Sequence, residues 1–194
     1  MIAERRDVWI AQSDLFLDTD VRLSFAYIAR VTAGSPYSLA ELEAICRDEV
    51  APIVESNLSD IAGEWAGFPE DWLIRSIVQR LEKNPKTPFS MDTDALEQWR
   101  AVAHLVSCLR ALPPEQRDER SHLWHAMSKL FLNRSPTPPE KLPRDPALLE
   151  WVYRYDMLPS YGASVDGYYR HNPKGYPTMP ELEATFREWL LAAR

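Results

Sequence analysis

A nine-residue pattern recurs loosely in this chain at a fixed distance, with six of its nine residues identical. Trp9-Ile10-Ala11-Gln12-Ser13-Asp14-Leu15-Phe16-Leu17 returns 115 positions later as Trp124-His125-Ala126-Met127-Ser128-Lys129-Leu130-Phe131-Leu132. A second pair follows in the same order: Ala40-Glu41-Leu42-Glu43-Ala44 against Pro180-Glu181-Leu182-Glu183-Ala184, with Arg47 matched by Arg187. Two ordered matches are the signature of one supersecondary unit used twice. The retained apolar residues are spaced as on one face of a helix. The repeat therefore predicts an all-α protein of about eight helices. They form two loosely duplicated units, residues 1–84 and 89–194, packed as one body. Trp9 to Glu41 is 32 positions and Trp124 to Glu181 is 57, which assigns the second unit an insertion of 25 residues.

The composition fits that reading. Hydrophobic residues make up 45% of the chain, enough for a core, and only six glycines argue against a turn-rich β fold. The sixteen prolines belong at helix starts and in connections. No run approaches the roughly 20 apolar residues that span a bilayer. The mixed-charge start Met1-Ile2-Ala3-Glu4-Arg5-Arg6-Asp7 is unlike a secretory leader. Two cysteines, each within an apolar helical pattern, read as small core residues of a reducing compartment. The expected location is cytoplasmic.

Helix signals divide the chain further. Helices are predicted over 3–17, 20–33, 38–50, 70–83, 93–111, 115–133, 146–156 and 179–192. Ser38-Leu39-Ala40-Glu41 is a capping box, and Thr178-Met179-Pro180-Glu181 repeats it. On the second helix Leu23, Tyr27, Ile28 and Val31 form the expected inward face, and Pro52 is expected to kink or end the third. Asn84-Pro85-Lys86-Thr87-Pro88 is the candidate boundary. Two connections in the second unit hold its extra length: the Pro-rich stretch 135–146 and a Tyr/Gly-rich loop of about 159–177. Connections longer than a fold needs often carry function.

Charge narrows the partners. The net charge is −7, and residues 1–57 hold ten carboxylates against five arginines. Such a surface repels phosphate, which excludes nucleic acid, and attracts a basic protein. At the 115-residue offset Asp14 becomes Lys129 and Asp18 becomes Asn133, while the packing residues stay. The buried face is kept and the outer face changes charge. Asp14, Asp18 and Asp20 are therefore candidate partner-binding residues, although Asp18 and Asp20 also suit capping of the next helix. The loop 161–176 supplies the other candidates: Tyr161, Asp166, Tyr168, Tyr169, Arg170 and His171. Tyr and Arg are enriched where binding energy concentrates.

Signals for catalysis are weak. Ser13 and Ser128 lie in the repeat with no base placed near them in sequence, and read as small residues that permit close helix approach. Ser164, Asp166 and His171 are three common residues in one loop. His122 and His125 sit at i and i+3 with Glu119 one turn earlier, but lack the flanking pattern of a zinc protease. No catalytic residue, metal ligand or cofactor is expected.

Three stretches carry a resemblance: Arg5-Arg6-Asp7-Val8-Trp9 through Asp18-Thr19, Ser35-Pro36-Tyr37-Ser38-Leu39-Ala40-Glu41-Leu42, and Gly63-Glu64-Trp65-Ala66-Gly67-Phe68. Over roughly residues 4–80 the chain resembles an uncharacterised family of small bacterial cytoplasmic proteins. That resemblance implies a bacterial, soluble origin and supplies no catalytic residues. The expected function is a protein-binding module of the immunity type, which neutralises a basic toxin or effector by occluding its active site. The alternatives are a helical scaffold or adaptor, and a small enzyme with a site between the units drawn from Glu64, His104, His122, His125 and His171.

Overall fold

The computed structural model describes residues 2–59, 66–83, 89–132 and 145–161, with helical positions 184, 187 and 188 beyond them. These residues are all-α, with no strand among them. Helix α1 covers Ile2–Ser13, α2 Phe25–Gly34, α3 Leu39–Ile45, α4 Ala51–Val54, α5 Glu70–Lys83, α6 Thr93–Arg110, α7 Pro114–Leu132 and α8 Pro146–Val152. The last expected helix, 179–192, falls almost wholly outside the described residues.

The local chemistry explains the boundaries. The Ser38 hydroxyl accepts from the Glu41 amide while the Glu41 carboxylate accepts from the Ser38 amide, the reciprocal capping box that starts α3. Asp92 caps α6 and Asp145 caps α8 in the same sense, each carboxylate accepting from a first-turn amide. Between α1 and α2 the chain tightens into two 3-10 turns, Asp14–Phe16 and Val21–Ser24, the second capped by Asp20.

Pro52 does not end the third helix. A π turn over Cys46–Val50 joins α3 to α4, and the Ala51 amide donates to the Cys46 carbonyl, five residues back. Proline lacks an amide hydrogen and clashes with the carbonyl four residues earlier in a regular helix. Widening the preceding turn relieves that clash and lets the rod continue. A second π turn, Tyr153–Met157, follows α8, and there the Leu158 amide donates to the Tyr153 carbonyl just before Pro159.

Helices α2, α6 and α7 make the centre of the body, and α1 also packs against α2. The inward face of α2 differs from the expected one. Phe25, Ala26, Ile28, Ala29, Thr32 and Ala33 are buried and Tyr27 is exposed. Small alanines on that face admit α6 and α7 closely, and the Ser121 hydroxyl of α7 donates to the Ala26 carbonyl at 3.0 Å. Arg110 of α6 donates from Nη2 to the carbonyls of Thr32, Ser35 and Tyr37, capping the C-terminus of α2. One core cluster takes in residues of both expected units, from Val8 and Trp9 to Trp124 and Tyr161.

Candidate functional site

The repeated tryptophans are buried and anchor two like clusters. On α1, Trp9 Nε1 donates to Glu49 Oε2 at 2.7 Å, and Arg5 pairs with the other oxygen of the same carboxylate. On α7, Trp124 Nε1 donates to Asp156 Oδ2 at 2.9 Å, and Arg120 reaches that oxygen at 2.6 Å. In both clusters the carboxylate comes from a π turn, and an aromatic ring covers the arginine. Tyr37 lies 5.4 Å from Arg5 and Trp151 lies 5.1 Å from Arg120. A carboxylate taken out of water needs such partners; at Glu49 each oxygen has one, whereas both partners of Asp156 converge on Oδ2 and leave its buried Oδ1 to neither.

Sequence spacing carried more of this than the expectations used. Arg5 and Arg120 stand at the same 115-residue offset as the tryptophans. The carboxylates obey a second offset, 107, which aligns Ser38–Pro52 with Asp145–Pro159. That register matches Ala40 to Ala147, Leu42 to Leu149, Glu43 to Glu150, Arg47 to Arg154, Glu49 to Asp156 and Pro52 to Pro159. Helix α8 and the π turn after it cover this second stretch, whereas Pro180–Glu183 lie outside the described residues. In this register the second spacing is the shorter: 32 positions from Trp124 to Asp156 against 40 from Trp9 to Glu49.

A thiol and an imidazole lie beside the second cluster. Cys108 Sγ is 3.5 Å from His104 Nε2, and the same Nε2 is 2.9 Å from the Tyr155 carbonyl. A carbonyl oxygen only accepts, so Nε2 carries the ring proton and cannot take one from sulfur. Burial, with Asp156 adding to it by charge and hydrogen bond, pushes the Cys108 thiol up to about 12. The arrangement holds the thiol protonated, the reverse of an activated cysteine. Of the other histidines, His122 is exposed. His125 is half-buried, with its pKa lowered by burial and by Lys129, while its ring bonds to the Leu23 backbone. No cluster of three metal-ligating side chains occurs among the described residues. Glu64 and His171 lie outside them. Both repeated serines are buried and donate to carbonyls of their own helix, Ser13 to Ile10 and Ser128 to Trp124.

The expected partner-binding residues separate into different environments. Tyr161 is 6% exposed, so it is a core residue and not a surface contact. Its ring packs on Phe25, and its hydroxyl lies between Ser128 Oγ and the Arg22 carbonyl. Asp14 is half-buried. Burial raises its pKa, and a hydrogen bond with Ser24 works against the shift. Asp20 is committed to Arg22, a guanidinium only 4% exposed, through two bonds of 2.7 and 2.6 Å. Asp18 is exposed. Asp166, Tyr168, Tyr169, Arg170 and His171 lie outside the described residues.

Asp18 and Asp20 stand on the wall of an open cleft of about 1050 Å³. Leu17, Asp18, Thr19 and Asp20 meet Ala51, Pro52, Glu55, Ser56 and Leu58 there, and Phe89, Asp92, Asp94 and Gln98 complete the lining. Five carboxylates line it, and no lysine or arginine among the described residues does. Glu55 and Asp92 also serve the fold: the Asp92 amide donates to Glu55 Oε1 at 2.5 Å, and Asp92 caps α6. Asp18 and Asp94 make no ion pair among the described residues. Leu58, 40% exposed, adds an apolar patch. Sequence reasoning found Asp18 and Asp20 but not Glu55, Asp92 and Asp94, because the cleft joins three segments far apart in the chain.

A second exposed face lies on α8 and its π turn. Trp151 and Tyr155 are 47% and 58% exposed, with ring centroids 5.4 Å apart. Arg154 pairs with Glu150 beside them.

No helix of the described residues is long and apolar enough to cross a membrane. A family model described as a domain of unknown function, DUF7079, matches residues 3–110, and the chain belongs to that family. The match takes in the Trp9–Glu49 cluster and every residue lining the acidic cleft, and stops before Trp124. No curated protein and no solved structure matches the chain.

Proposed function

We propose that this DUF7079 member is a protein-binding module of the bacterial immunity type, which neutralises a basic toxin or effector by covering its active site. The observation that carries the reading is the cleft with five carboxylates and no lining cation among the described residues. Charge of one sign focused in a concave surface speeds encounter with a partner of the other sign and selects against like-charged proteins. Asp18 and Asp94 are the two lining carboxylates that make no ion pair and accept no hydrogen bond among the described residues, so they are the residues for the partner's cations.

The test is capture of partners from the source cell with the tagged chain, at low and high salt, read by mass spectrometry. One stoichiometric basic partner, released by salt and lost with Asp18→Asn/Asp94→Asn, supports the reading. It also predicts that the wild-type chain, and not the double variant, blocks that partner's activity. A stoichiometric partner retained in high salt and by the double variant would refute it. That outcome would favour the second reading, a scaffold or adaptor, for which the separate Trp151–Tyr155 face speaks.

A further inference from the structure

We infer that the acidic cleft receives an extended peptide segment of the partner, one that alternates lysine or arginine with an apolar residue. The inference rests on the proposed function and specifies what enters the cleft. Size is the first argument. A volume of about 1050 Å³ lies at the upper limit of small-ligand pockets and suits several residues of chain. Shape is the second: the cleft is concave and open, so a segment of chain can lie along it.

The lining specifies the chemistry. Asp18 stands on one wall, and Asp92 and Asp94 belong to the segment that starts α6. Cationic side chains from one strand can turn to both, because successive residues of an extended segment point to opposite sides. Leu58, Phe89 and Pro52 give an apolar residue of the segment a seat that a polyamine or an ion would leave empty. Gln98 completes the wall on α6, one turn beyond Asp94. A divalent ion fits the lining less well. Calcium needs six to eight oxygens at about 2.3–2.6 Å, and no metal-holding group of three occurs among the described residues.

The probes are three labelled hexapeptides of alternating lysine–leucine, lysine–serine and glutamate–leucine, titrated by fluorescence anisotropy against the full chain. The lysine–leucine peptide binds. Asp18→Asn/Asp94→Asn weakens it by about tenfold, the sum expected of two partly screened ion pairs. Raising the salt weakens it similarly. Leu58→Ser and the lysine–serine peptide each lose several-fold. The inference is overturned by equal binding of the glutamate–leucine peptide, by equal binding of the lysine–serine peptide, or by binding indifferent to the variants. Displacement by stoichiometric calcium would overturn it too, by making the cleft a cation site. If no peptide binds while an intact basic partner is captured by wild-type and lost with Asp18→Asn/Asp94→Asn, the extended-segment inference falls and the proposed function stands.

Discussion

The Arg5–Glu49–Trp9 and Arg120–Asp156–Trp124 clusters use the same groups in the same order, but they sit at different depths. The side chains of Arg5 and Glu49 are 28% and 11% exposed, whereas those of Arg120 and Asp156 are 13% and 1% exposed. The second carboxylate is a methylene shorter and has a thiol beside it. Outside the clusters the relation reverses. Asp48, on the first π turn, accepts from the Phe89 amide at 3.5 Å, so the residues before α6 lie against it. At the matching place on the second π turn is Tyr155, 58% exposed. The two share their interior chemistry and differ at the outer surface. A buried carboxylate has few alternatives to its arginine and indole partners, while a surface residue is free to change.

Depth decides the largest expected effect. Asp156→Ala leaves a nearly buried guanidinium and an indole N–H without their acceptor, which costs about 3–5 kcal/mol. Glu49→Ala leaves the same groups where water reaches the arginine, which costs about 1–3 kcal/mol. Urea denaturation of the two variants checks the order. Equal losses, or a larger one at Glu49, would break the comparison between a dry and a wetter cluster.

The thiol sharpens it. With Cys108 pushed up to about 12, its thiolate fraction at pH 8 is roughly a thousandfold below that of an ordinary cysteine. Iodoacetamide should label it correspondingly slowly. Asp156→Asn removes the carboxylate charge that helps raise the thiol, so labelling speeds up if the fold is retained, as circular dichroism would report. An unchanged rate would mean that burial alone protects the sulfur. Trp151→Ala removes the ring over Arg120 at a partly exposed site and should cost less than about 1 kcal/mol. A larger loss in thermal unfolding would make Trp151 part of the core and not of an outer face.

What the sequence made legible followed from what its signals measure. Helical periodicity gave the bounds of α5, α6 and α7 closely, because long amphipathic stripes and caps are local. It misjudged the face of α2, where Ala26, Ala29 and Ala33 point inward: small residues that admit a neighbouring helix look neutral in a hydrophobic pattern. The first π turn was missed because Pro52 reads as a breaker, and a proline tolerated by a widened turn has no separate signature. The cleft was half legible. Asp18 and Asp20 stood out by charge, while Glu55, Asp92 and Asp94 joined them only through tertiary packing. Tyr161 illustrates the opposite error. Its residue type suggests binding surfaces, yet its ring fills space against Phe25.

The smallest effect concerns the position where the two copies of the repeated run differ in charge, Asp14 against Lys129. Lys129 is exposed, whereas Asp14 is half-buried with a pKa raised above 3.8, by burial first and with a Ser24 hydrogen bond opposing. A carboxyl that binds its proton more tightly folded than unfolded favours the folded state only while protonated. Its contribution is full below the unfolded value and is lost as pH rises through the raised folded value. At neutral pH the ionised Asp14 therefore costs stability. Asp14→Asn keeps an acceptor for the Ser24 hydroxyl and removes the charge, so the variant should melt about 1–2 °C higher at pH 7. The gain should shrink to nothing as pH falls below the ordinary carboxylate range. A gain that persists in acid would come from packing and not from the buried charge. A loss at pH 7 would mean that the ionised carboxylate stabilises α1, and the charge difference at this position would then reflect the fold and not the surface.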